Sequence, residues 1–468
     1  MKANKIFEPL PKLLRLSLQN MSTLAFVNLS LFLDRVILAK HSTESLNASV
    51  SAGAIASTFI FGAIAVGSIS EMFLAKTFGA GRQKEIGPIL WQMMWFSLIV
   101  ACLFQFIAYF LSPLLIPSTN HSEAAQTYFS WQMSVGFLPV IIVSLNAFFI
   151  GIQRFGSVLL AVSFAGALKI CCAIPLVLGI EGVFVGLGLK GAVISSAISQ
   201  ICHIVFLLVL IRKAGQGSAY GLGNFQFNLK LFVEMMRVGF PQALGCMLNY
   251  AAWGLVVSFL AVAGEKHLMM YTVIDSFYVL FGFTTEGLQK SVLSMGARFV
   301  GAGRRADLPS IITSAYLVLF LILLLLTIPM MFFAKDLAGT LNHGVLSMGE
   351  FSLACFIVWL YFLFDGVGWI LNGSLTSLGD TFFANPVSGI SSLVFGAGST
   401  YLMTDVCLFE PSITGWVSIF YGIANVLLLS FRLRQWKLGQ AQVESRPKPS
   451  ESHCLAQLSF NTLMMKTP

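Results

Sequence analysis

Long apolar stretches recur along this chain, separated by short polar and basic connections. Ile86 to Ser122, Ala124 to Gln153, Gly191 to Ile211, Val238 to Gly264 and Leu308 to Ala334 contain no Asp, Glu, Lys or Arg. Neither do Ser45 to Ser70, Thr381 to Thr404 and Pro411 to Phe431. A helix crossing the hydrocarbon core of a bilayer needs roughly 20 apolar residues. Backbone in lipid must satisfy its own hydrogen bonds, so these stretches predict helices rather than loops. The pattern predicts twelve spans, near 13–38, 46–76, 90–116, 125–151, 157–179, 190–211, 232–262, 268–297, 309–333, 350–377, 383–404 and 412–433. The expected fold is an all-α polytopic membrane protein.

The pattern also repeats. Lys76-Thr77-Phe78-Gly79-Ala80-Gly81-Arg82 and Arg298-Phe299-Val300-Gly301-Ala302-Gly303-Arg304 stand 222 residues apart, each between two apolar stretches. Arg15 maps onto Arg237 at the same offset, and Leu145-Asn146-Ala147 matches Leu371-Asn372-Gly373 at 226. Twelve transmembrane helices in two six-helix bundles, related as internal repeats, are the expected architecture. The repeats run parallel, because each holds six spans and re-enters from the same side. The expected divisions are 1–211 for the N-terminal bundle, 212–231 for a polar, Gly-rich cytoplasmic linker, 232–438 for the C-terminal bundle and 439–468 for a disordered tail.

Composition strengthens this picture. Of 468 residues, 57% are hydrophobic and 10% charged, against about 25% charged in soluble domains. Lys and Arg concentrate in the connections on one side, among them Arg82, Lys84, Arg154, Arg212, Lys213, Arg304 and Arg305. The opposite connections hold Lys40, Lys190, Lys266 and Lys335. Basic loops stay cytoplasmic, so both termini are expected inside, in an inner or plasma membrane. The net charge of +8 is then an orientation signal and not a nucleic-acid footprint. No Gly-x-x-x-x-Gly-Lys-Ser/Thr loop is present, so ATP-driven chemistry is not expected. The cysteines show no metal-ligand or disulfide spacing. Neither an enzyme nor a cofactor is expected.

Charge inside the spans is where function is sought. An ionised side chain at the bilayer centre costs at least ~2.5–3.5 kcal/mol and needs a partner, a cavity or a task. The candidates are Asp34, Arg35, Glu71, Lys169, Asp275, Glu286, Lys290 and Asp365. Glu286 and Lys290 are spaced i, i+4, the spacing of an ion pair on one helix face. Glu71 is expected to pair with Lys76 or to snorkel.

Several local sequences, taken in order, resemble the multidrug and toxic compound extrusion (MATE) family. They are Phe32-Leu33-Asp34, Phe78-Gly79-Ala80-Gly81, Gly239-Phe240-Pro241, Gly301-Ala302-Gly303, Asp365-Gly366 and Ser377-Leu378-Gly379-Asp380-Thr381. The resemblance spans about residues 10–437. It implies a V-shaped pair of bundles around a central cavity that opens alternately to each side. It also implies export of organic solutes against inward flow of protons or sodium ions. Asp34 matches the family's helix 1 carboxylate and Asp365 its helix 10 carboxylate.

The chain departs from the family pattern at four places. The helix 5 slots for an Asn and an Asp hold Lys169 and Ala173, the helix 7 slot for a Glu holds Asn249, and the helix 1 Pro slot holds Gln19. The expected site therefore comprises Asp34, Lys169, Asp365, Asn249, Glu286 and Lys290, with an Asp34–Lys169 pair replacing the usual ion site. The expected function is proton-coupled antiport of a small amphiphilic organic substrate by a monomer, with sodium disfavoured by Lys169. Two alternatives stand beside it: a flippase for an anionic lipid-linked precursor, and a channel or non-transporting scaffold.

Overall fold

The computed structural model describes residues 8–116, 122–180, 184–213, 219–328, 330 and 345–444. All twelve predicted spans appear as helices. The first bundle holds α1 (Leu10–His41), α2 (Thr43–Ser68 with Ser70–Gly79) and α3 (Ile86–Phe106, continued to Leu115). It continues with α4 (Ser122–Val135 with Leu138–Gly151), α5 (Phe155–Leu178) and α6 (Leu189–Lys213). The second holds α7 (Leu229–Ala263), α8 (Glu265–Phe281 with Phe283–Gly301), α9 (Leu308–Thr327) and α10 (Met348–Ser377). It ends with α11, which starts at Thr381–Ser391 and runs on to Val406, and α12 (Pro411–Thr414 with Val417–Glu444). A two-residue hairpin, β1 (Gly179–Ile180) with β2 (Phe184–Val185), links α5 to α6.

Among the described residues, nine helices are long and apolar enough to cross a membrane, and bent α8 makes a tenth. The remaining two spans depart for visible reasons. α1 carries Lys12, Arg15, Asp34, Arg35 and Lys40, and α11 is interrupted by π-helical turns at Ser392–Gly398 and Leu402–Val406. Side chains such as Leu98, Phe106, Leu114, Phe320, Leu324 and Leu325 are exposed. In water, apolar surface on that scale marks an interaction face, and around a helical bundle that face meets lipid.

The repeat seen in sequence is a repeat in geometry. Gly81 and Gly303 both adopt left-handed backbone, with φ of 74° and 75°. Each turn is closed in the same way, Arg82 N–H donating to the Thr77 carbonyl and Arg304 N–H to the Phe299 carbonyl. Each then enters a short 3-10 turn braced by an ion pair, Arg82–Glu85 at 3.0 Å and Arg304–Asp307 at 2.7 Å.

The same duplicated segments bring the bundles together. A Cβ on Gly79 would lie 2.2 Å from the Arg298 carbonyl oxygen, and one on Gly301 would lie 1.9 Å from that of Lys76. Only glycine lets two backbones approach so closely. Since 79 and 301, and 76 and 298, are repeat partners, this seam is self-complementary. It continues along α1 and α8, where Asn20 Nδ2 donates to Ser291 Oγ at 2.9 Å. Along α2 and α7, Gln242 Nε2 donates to Ser68 Oγ at 3.0 Å and Phe61 stacks on Tyr250. Farther from the glycine turns, the Glu265–Phe281 segment of α8 packs on α7, α10 and α12 of its own bundle.

The linker between the bundles is held in place by hydrogen bonds. Its described part lies on α3, where Trp91 Nε1 donates to the Leu222 carbonyl, Gln92 Nε2 to that of Gln226, and Asn228 N–H to Gln92 Oε1. One expectation is corrected: residues 439–444, expected to belong to a disordered tail, continue α12, which runs to Glu444. Ala441, Gln440, Gln442 and Glu444 are helix formers, and one Gly at 439 costs only about 1 kcal/mol. The rest of the tail, 445–468, and Lys335 with its connection lie outside the described residues.

Candidate functional site

The interior of the first bundle is built on contact between α1 and α5. Gly166 permits it, since a Cβ there would meet Ser30 Oγ at 3.0 Å. One turn further along α5, Lys169 Nζ forms an ion pair with Asp34 Oδ2. The two side chains retain 13% and 20% of their exposure, so both charges are largely withdrawn from water. At such a position each charge depends on the other, because either left alone would be costly. Ala173, in the slot of the second family carboxylate, is buried between α1 and α6 in a cluster with Ile37, Leu38 and Ala192. The pair therefore has no second acid from that slot.

The second bundle holds a different arrangement. α8 breaks at Gly282 and bends by 47°. Immediately after the break, Thr285 Oγ1 donates to Asp365 Oδ2 of α10 at 3.1 Å, and both residues are buried. Tyr361, one turn before Asp365, packs against Tyr278 with ring centroids 5.6 Å apart. Asn249 Nδ2 of α7 reaches the Tyr421 hydroxyl of α12 at 3.4 Å, and Trp253 meets the Tyr421 ring edge-on at 5.5 Å. Glu286 and Lys290 form their i, i+4 pair at 3.3 Å. An amide chain runs beside them, from Gln289 to Asn372 and from Asn372 to Asn385. The six expected site residues thus fall into two groups, Asp34 with Lys169 in one bundle and the other four in the second.

Asp380, in the matched Ser377–Thr381 segment, has a structural task. Its Oδ2 accepts from Arg432 Nε at 2.7 Å and from Trp436 Nε1 at 2.9 Å, tying the start of α11 to α12.

Glu71 departs from expectation. It does not pair with Lys76; five residues apart, the two point roughly 140° away from each other around a helix. Glu71 is buried, and its Oε1 has no hydrogen-bond partner. Its neighbours Met72 and Ala75 pack on Leu293 and Ala297 across the seam. His203 of α6 is a second buried polar residue that sequence reasoning missed, its Nε2 likewise unpartnered. A single His in an apolar helix carries no signal to set it apart from packing. Glu71 was visible as a charge, but its place on the seam was not.

No protein-family model matches the sequence, and no curated protein matches it. Solved structures do match in fold. A MATE protein in its straight conformation superposes with a TM-score of 0.81 at 18% identity, over 92% of this chain and 97% of that one. A multidrug resistance MATE transporter of the MOP superfamily, in an outward-facing conformation, gives 0.81 at 18% over 96% and 100%. A MOP superfamily transporter from Pyrococcus furiosus, described as having a binding pocket of reverse polarity that suggests a different function, gives 0.78 at 17% over 93% and 96%. The chain therefore has the MATE transporter fold, with twelve helices in two repeated bundles.

Proposed function

We propose that this protein is a secondary active transporter that moves a small organic solute across the membrane by alternating access, driven by protons. The observation that carries this reading is the Asp34–Lys169 pair, withdrawn from water inside one bundle of a transporter fold. The neutral pair replaces the carboxylate cluster that would attract a metal ion. A proton taken up by Asp34 removes one of the two charges and leaves Lys169 unpaired. The bundle then gains by rearranging, or by accepting an anionic group of the substrate in place of the carboxylate. Protonation from one side and release on the other would couple the proton gradient to the exchange of open ends.

The direction proposed is export, from a cytoplasmic side marked by the basic connections, in an inner or plasma membrane. The substrates proposed are amphiphilic and neutral, zwitterionic or anionic. A dication would find the N-terminal carboxylate already neutralised. Lys169 is this chain's own reason for a departure from cationic cargo. A lipid-linked anion remains the second reading that Lys169 favours.

The test is a substrate screen in proteoliposomes, comparing the unmodified protein with Lys169→Asn. Proton-driven transport of neutral or anionic compounds is expected, with selectivity moving towards cations in the variant. Strong sodium-dependent transport of a cationic dye by the unmodified protein would overturn the proposal.

A further inference from the structure

Where the bundles meet, beside the Gly79–Arg298 contact, a cavity of about 600 Å³ lies across the seam. The first bundle contributes Lys12, Phe78 and Gln153 to its wall, and the second contributes Arg298 and Phe299. A smaller cavity of about 500 Å³ adjoins it through Lys12 and Gln153, and adds Arg15 to its wall. Arg304 and Asp307 also line the larger cavity, but they neutralise each other at 2.7 Å. Its other acid, Glu8, is exposed. Lys12 and Arg298 have no salt bridge among the described residues; Arg298 lies over the Phe78 ring at 5.4 Å. Two like charges, one from each bundle, thus face the same space.

Two comparisons between the repeats show that this corner was built differently from its counterpart. The repeat partners of Lys12 and Arg298 are Glu234 and Lys76, an opposite-sign combination. The other comparison concerns the backbone. Gly379 turns the chain from α10 into α11 with φ of 89°, as left-handed backbone favours. Its repeat partner between α4 and α5 is Gln153, which adopts φ of 64° despite its side chain. Left-handed backbone is unfavourable for a residue with a side chain. The position accepts that strain, and Gln153 lines both cavities.

We infer that the seam cavity binds a phosphate-bearing anion between Lys12 and Arg298, and that the anion clamps the bundles together at this end. An ammonium from one side and a guanidinium from the other suit a phosphate group, which offers several acceptor oxygens. Phe78 and Phe299 would take an attached apolar body, and the volume suits a small organic ligand. The site spans both bundles, so it exists only while they touch here. A ligand bound to one state alone shifts the population towards it. The anion therefore favours the state that is open at the opposite end. This rests on the alternating-access reading. The ligand's source is either a soluble phosphate compound or the headgroup of an anionic lipid.

The measurement is the spin-label distance between positions 40 and 262, exposed residues at the opposite ends of α1 and α7, in a cysteine-free background. Pyrophosphate is added to protein in neutral nanodiscs, and separately the nanodiscs are made with phosphatidic acid. At least one of the two anions should raise the ratio of the long-distance to the short-distance population at least fivefold. Lys12→Gln should need at least tenfold more pyrophosphate, and Lys12→Arg should restore the response. A response to pyrophosphate identifies a soluble ligand as sufficient, and one to phosphatidic acid alone identifies the lipid. Sodium chloride of equal ionic strength reproducing the shift would overturn the inference, as would an unchanged response in Lys12→Gln. A distance that moves with pH but with neither phosphate probe would sink the clamp alone. One that responds to nothing would sink alternating access as well.

Discussion

At the scale of single residues, the central interaction is the pair between Asp34 and Lys169. A pair so withdrawn from water contributes little net stability, yet each member left alone is destabilising. Lys169→Met should therefore lower thermal stability by more than the double variant Asp34→Asn/Lys169→Met. The coupling energy from such a cycle should be about 1–3 kcal/mol. Equal and additive losses would show that the two charges do not depend on each other. Gln153 gives a second prediction. Gln153→Gly removes the cost of its left-handed backbone and should raise stability by about 1 kcal/mol in denaturant or thermal unfolding. A loss of stability would mean that the side chain holds the turn. Asp34, Lys169 and Asp365 were legible in sequence because charge in an apolar span is conspicuous. Gln153 was not, since a backbone angle leaves no mark on composition. Glu71 was misread because its environment comes from the other bundle, more than 200 residues away in sequence.

At the scale of elements, the twelve spans were legible because hydropathy alone selects them. Their internal breaks were not. The bend of α8 at Gly282, the one-residue interruption of α2 at Ile69 and the π turns of α11 reflect packing against neighbours. The glycine turns show the opposite case. They were visible as a repeated motif, but their role as mutual contact surfaces needed three dimensions. With a Cβ on Gly301 falling 1.9 Å from the Lys76 carbonyl, Gly301→Leu should push α2 and α8 apart at this end. Cysteines introduced at Thr77, now buried, should then label at least fivefold faster with a water-soluble maleimide. Unchanged labelling would mean that the seam tolerates the side chain and is not a tight closure.

At the scale of the whole molecule, orientation and cycle are at stake. The basic connections predict that cysteines at Arg82 and Arg305 are labelled only from inside and one at Lys266 only from outside. The reverse pattern would invert the proposed direction of transport. The repeat was legible from a 222-residue offset, and the structure turns it into a seam that is closed at one end by matched backbones. What composition could not supply was the division of the ionisable residues into two separate interiors, since that depends on which helices neighbour one another. The most direct test of the account is flux in proteoliposomes carrying the unmodified protein or Asp34→Asn, with and without an imposed pH gradient. The unmodified protein should accumulate substrate against its gradient when protons flow. Asp34→Asn should still exchange substrate at equilibrium, yet lose at least tenfold of its gradient-driven accumulation. Full proton-driven accumulation by Asp34→Asn would contradict the claim that the Asp34–Lys169 pair couples protons to movement of the bundles.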